Sequence, residues 1–156
     1  MRLCVVFILS VAAAGQNHGE DCDEDVFDVH TFLFLYQPPP SHKHLGHALK
    51  VIEELENIHK ISVKLINPRF IKPFDKEIMS EIISSKLPIV TLEDNVLTGG
   101  FGSMIAENII DAGASNKLLR LGLPDNFIQH GSIKELKAML GLDPQSIVKK
   151  VIHWLK

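Results

Sequence analysis

"IVTLEDNVLTGGFGS", residues 89–103, runs from an apolar segment through two acids to three glycines and then into a helical pattern. A strand that passes through glycines into a helix is the building unit of a parallel α/β sheet, and it is also a common phosphate-binding turn. Gly99, Gly100 and Gly102 with Ser103 match neither G-x-G-x-x-G nor G-x-x-x-x-G-K-[ST]. The turn has no lysine to meet a phosphate, and the carboxylates of Glu93 and Asp94 would repel one. The glycines are therefore read as conformational: they let the backbone turn with positive φ and let the helix pack close to its strand.

The same alternation extends to both sides. Upstream, "VHTFLFLYQ" (29–37) is β-branched, aromatic and apolar, which suits a strand buried on both faces. Three prolines end it, and Leu45, Ala48, Leu49, Ile52, Leu55 and Ile58 then recur at helical spacing. A second strand is expected at 61–67, and a second helix with Asp75 as its N-cap follows. The strand at 88–93 and a helix from Ser103 to Ala112 come next, and a fourth strand falls at 117–121. Two helices close the chain, one capped by Ser132 and stopped by Gly141, the other starting at Asp143-Pro144. Strand–helix alternation with short links predicts a three-layer α/β/α sandwich on a mostly parallel sheet. The expected order places 29–37 between 61–67 and 88–93, with 117–121 outside the latter.

At 156 residues, 46% of them hydrophobic and 22% charged, the chain suits one soluble domain. A net charge of −3 with scattered basic residues argues against nucleic acid as a partner. Residues 1–28 read differently from the rest. "MRLCVVFILSVAAAGQ" has the form of a secretory signal peptide, with cleavage expected near residue 14. It is too short for a stable membrane span, and a buried strand is the alternative reading. The twelve residues after it hold six acids and read as a solvated linker, so 1–28 is expected to stand outside a domain at 29–156. The only cysteines, Cys4 and Cys22, lie in this extension and have no metal spacing.

Candidates for chemistry gather where strands leave the sheet at its carboxyl edge. Arg69 and Lys72 follow the second strand, and Glu93 and Asp94 end the third. They suit either an anion or acid–base site or loop-fixing ion pairs, and the lack of a nucleophile–base pair favours the pairs. His42, His44 and His47 form H-x-H-x-x-H, but no cysteine supports a metal there, and a solvated helix start is preferred. His130 is a candidate base without a partner motif, and Asp125 and Ser103 complete the cleft candidates. No residue is assigned as catalytic, cofactor-binding or metal-ligating.

Longer motifs add a resemblance. "RFIKPFD" (69–75), the acid–glycine turn, and above all "RLGLPDNFIQHGS" (120–132) with "ELKAMLGLD" (135–143) resemble the C-terminal domain of 1-deoxy-D-xylulose-5-phosphate synthases, within the transketolase-like thiamine-diphosphate family. The likeness runs from about Ala48 to Trp154. It departs at the long "QPPPSHKHLG" turn and does not reach residues 1–28. Such an enzyme condenses pyruvate with glyceraldehyde 3-phosphate on thiamine diphosphate and Mg²⁺, for isoprenoid and thiamine synthesis. Its cofactor residues lie in domains whose motifs this sequence does not show. The resemblance implies a detached domain that supports packing and dimerisation, binds no cofactor alone, and partners the thiamine-binding domains or itself. It also implies cytosol or plastid, against the secreted reading of the first 14 residues. A free-standing small-anion binder, or a secreted reuse of the domain, is the alternative. The apolar surplus of the last helix points to exposure of Trp154.

Overall fold

The computed structural model describes residues 3–10, 30–37, 42–66 and 74–156. Four parallel strands form the frame: β2 (His30–Gln37), β3 (Val63–Ile66), β4 (Ile89–Val96) and β5 (Leu118–Leu123). Their order is β3-β2-β4-β5, as the strand–helix alternation predicts. β2 and β4 run in register from Phe32↔Ile89 to Tyr36↔Glu93, and β4 and β5 from Ile89↔Leu118 to Leu92↔Leu121. The next β4–β5 pair is Val96↔Leu123, so β4 bulges between Leu92 and Val96. The bulge spans Glu93 and Asp94 and re-aims the strand end next to the glycine turn.

β1 (Leu3–Ser10) adds to this frame. It pairs antiparallel with β2 from Leu3↔Gln37 to Ser10↔His30, and by shorter runs with β3 and β4. These eight residues, expected with 1–28 to stand outside the domain, pair with its strands here. "LCVVFILS" is apolar and β-branched, a composition that suits a strand as well as a signal peptide. The acidic stretch at 17–28 lies outside the described residues.

Helices cover both faces. On one, α1 (His42–Asn57) and α5 (Pro144–Leu155) bury Ala48, Val51, Leu55, Ile147, Val148 and Val151 against Val90 and Leu121. On the other, α2 (Lys76–Ser85) and α3 (Phe101–Asp111) bury Met79, Ile82, Phe101, Ile105 and Ile109 against Ile89. Alternate residues of β4 therefore serve opposite layers, as a central strand requires. Helices α1 and α2 lie on opposite faces because the chain reverses direction across β2, which puts the switch point between β2 and β4.

Local signals set the helix ends. Asp75 accepts from the N–H groups of Glu77 (2.9 Å) and Ile78 (3.2 Å), and Asp143 from that of Ser146 (3.1 Å). Ser132 and Glu135 cap each other reciprocally at the start of α4 (Ile133–Leu140), and Gly141 ends it in the left-handed region. The expected exposure of Trp154 is not seen. Trp154, Ile152 and Leu155 are partly buried against the α1–α5 core, because the C-terminal helix covers the sheet with its whole stripe.

Candidate functional site at the carboxyl edge

The glycine turn contains an anion of its own. Glu93, only 1% exposed, accepts from the N–H of Phe101 (2.8 Å) and of Gly102 (3.1 Å), the first two residues of α3. Its carboxylate thus sits where a phosphate would sit on a helix N-terminus and accepts from two of its backbone donors. Gly100 supplies the N-cap backbone without a side-chain cap, so the cap comes from the preceding strand. For this reason α3 starts at Phe101 rather than at Ser103.

Three glycines make room for that carboxylate and the helix it caps. A Cβ at Gly100 would collide with Oε2 of Glu93 and the carbonyl of Val96. One at Gly122, in β5, would lie 2.8 Å from Cγ of Glu93, and one at Gly102 would lie 2.7 Å from Oγ1 of Thr91. Gly99 is different: its surroundings are open, but its φ of +67° requires glycine. Burial pushes the Glu93 carboxyl above its ordinary range, against the pull of the two N–H groups and of Arg120. The Arg120 guanidinium donates to Oγ of Ser103 (2.9 Å), and Ser103 in turn donates to the carbonyl of Leu97 (2.7 Å). Glu93, Gly100, Gly102 and Ser103 are thereby assembled in one turn, as a structural clamp. A diphosphate does not fit here, because its donors and its space are already taken.

A second feature lies beside the turn. A cavity of about 350 Å³ opens between the end of β4, the loop after β5, and α4. Leu123, Ile128, Ile133, Leu136 and Leu140 supply apolar wall, while Asp94, Gln129, His130 and Lys137 supply polar groups. Burial lowers the Lys137 ammonium below its ordinary range, with nearby Asp94 opposing the shift. Burial also lowers His47, helped by the positive charges of Lys137 and Lys50. An imidazole beside two lysines is a poor seat for a cation. Among the described residues, no three His, Cys, Asp or Glu side chains cluster to hold a metal ion.

The structure thus brings Asp94 and His130 to one cavity and places Asp125 on the exposed loop outside its lining. Arg69 and Lys72 lie outside the described residues. Sequence reasoning missed Lys137, Arg120 and Gly122. Each carried a signal: Lys137 is the one charge on the stripe Ile133-Leu136-Leu140, Arg120 the one charge in "LLRLGL", and a glycine inside a strand marks close approach.

Residues 43–147 match the family described as Transketolase, C-terminal domain. The chain belongs to that family. It is 45% identical over 105 residues to the 1-deoxy-D-xylulose-5-phosphate synthase of Geobacillus sp. (strain WCH70), covering 67% of this chain and 16% of that one. The synthase of Clostridium tetani (strain Massachusetts / E88) is 42% identical over 105 residues, with 67% and 17% covered. The chain therefore spans about a sixth of the length of the curated relatives it matches. A solved structure titled "Split gene transketolase, inactive beta4 tetramer" superposes with a TM-score of 0.57 at 26% identity, over 69% of this chain and 35% of that one. These matches bear out both the family resemblance read from "RLGLPDNFIQHGS" and the fold. Among the described residues, no helix is long and apolar enough to cross a membrane.

Proposed function

We propose that this chain acts as a detached C-terminal domain of a 1-deoxy-D-xylulose-5-phosphate synthase. It packs against the thiamine-diphosphate-binding portion of such an enzyme, supports its dimerisation, and turns over nothing alone. The carrying observation is a match at 45% identity that covers 67% of this chain but only 16% of the synthase. The neighbour titled as a split-gene tetramer gives a precedent for this fold on a chain that assembles. Thiamine diphosphate and Mg²⁺ supply the bond-making chemistry of such an enzyme when bound. Two observations support the reading that the chain alone binds neither: Glu93 occupies the anion seat of the glycine turn, and among the described residues no three acids, histidines or cysteines cluster to hold a metal ion. The work of this domain is to shape and hold a surface. Cytosol or plastid is the compartment that accords with this reading.

The test supplies residues 1–156 in trans to the Geobacillus synthase truncated before its matching segment. Condensation of pyruvate with glyceraldehyde 3-phosphate is expected to return, and the chain by itself to show none. Turnover by the chain alone would overturn the reading. So would a failure to restore activity when the relative's own segment succeeds.

A further inference from the structure

Helix α4 poses a problem that the isolated fold does not solve. It is fully capped at both ends and strongly patterned, yet it has no buried residue. Short helices owe most of their stability to packing an apolar face, and here only the C-terminal end of that face is seated, through Leu140 against the α1–α5 core, while Ile133 at the other end is left exposed. Ile133, Leu136 and Leu140 share one stripe and wall the 350 Å³ cavity with Leu123 and Ile128. Ile133 is 72% exposed, and Phe127, in the loop that forms the opposite wall, is 87% exposed. The remaining wall is polar and of mixed charge: Asp94, Gln129, His130 and Lys137. An apolar centre with a polar, mixed-charge rim is the anatomy of a protein–protein interface.

We infer that the α4 face and its cavity are the seat for the thiamine-diphosphate-binding portion of the synthase. A bulky apolar side chain from that portion fills the cavity, and its neighbours meet the rim of Asp94, His130 and Lys137. This inference rests on the function proposed above and names the surface that serves it. The occupant follows from proportion. The matching relatives carry roughly five-sixths of their length beyond the segment matched here, and that remainder is what such a domain has to pack against. The other strongly exposed aliphatics do not compete. Leu49 on α1, and Ile58 and Ile110 near the ends of α1 and α3 at the opposite edge of the parallel sheet, stand singly, Met139 belongs to α4 itself, and scattered apolar residues need no partner.

Thiol footprinting tests the surface. Ile133→Cys and Ile110→Cys are made in the 156-residue chain, and again in a full-length Geobacillus synthase whose matching segment is replaced by that of this chain. In the free chain both positions are expected to label rapidly, as their exposure dictates. In the chimera Ile133→Cys is expected to label at least tenfold more slowly, and Ile110→Cys at its free rate. An active chimera in which Ile133→Cys labels as fast as in the free chain would overturn the surface and leave the proposed function standing. A chimera without turnover would overturn both. Concentration-dependent protection of Ile133→Cys in the free chain would assign the face to a second copy instead, and would also overturn the inference.

Discussion

Glu93 is the residue on which the turn depends, and its energetics can be separated. Removing the carboxylate takes away the acceptor of two backbone donors and leaves a cavity, so Glu93→Ala is expected to cost about 2–5 kcal/mol in urea denaturation. Its pH dependence has a defined sign. Because burial raises the folded carboxyl above its ordinary 4.5, the contribution of this group is fully present below that value. It is lost as pH rises through the raised folded value. Stability attributable to Glu93 therefore declines upward from about pH 4.5, and Glu93→Gln should flatten that part of the profile. Comparison of the two profiles checks it; parallel curves would reject the assignment. The glycines give a second contrast. Gly99→Ala meets open space and pays only for its positive φ, about 1 kcal/mol. Gly100→Ala drives a methyl into Glu93 and Val96 and should cost more, about 2–4 kcal/mol, because overpacking adds to the lost cap.

Helix α5 shows what an element does that its own residues do not announce. The count of apolar positions in "IVKKVIHWL" exceeds one core stripe, which suggested an exposed Trp154. The count says nothing about how much sheet there is to cover, and β4, β5 and α1 together cover the surplus. Trp154→Ser is accordingly expected to lower stability by about 1–3 kcal/mol and to leave the association state unchanged. Thermal melting and sedimentation of the same variant separate the two effects. Caps and strand order were legible because their signals are local: Asp75, Ser132 and Asp143 stand next to the donors they satisfy. The start of α3 was not, since its cap comes from the preceding strand across the glycine turn, eight residues away, and the Asp94–Lys137 neighbourhood was not, since it joins residues with α3 and β5 between them. Alternation shows that a strand exists but not where its bulge falls; the same period of two that turns Ile89 and Thr91 toward the α2–α3 layer turns Glu93 there as well.

On the scale of the molecule, two neighbouring features of one sheet edge have opposite character. The glycine turn holds its own carboxylate, whereas the α4 cavity opens between Leu123, Ile128 and Leu136. Mutations should divide along that line. Changes in the turn should alter the folding of the chain by itself, and changes at Ile133 or Phe127 should leave its melting temperature within about 2 °C, since neither side chain is buried. Melting curves of Ile133→Lys check this directly; a large drop would show that α4 packs more tightly than its exposure indicates. The self-contained turn has a further consequence. A carboxylate that belongs to the chain can be cut away and offered back as a free solute. In Glu93→Ala the vacated donors of Phe101 and Gly102 become a receptor for a small carboxylic acid, and acetate should raise the melting temperature of that variant in a saturable way while leaving the parent chain unmoved. Chemical rescue of this kind would turn an internal clamp into a titratable guest site.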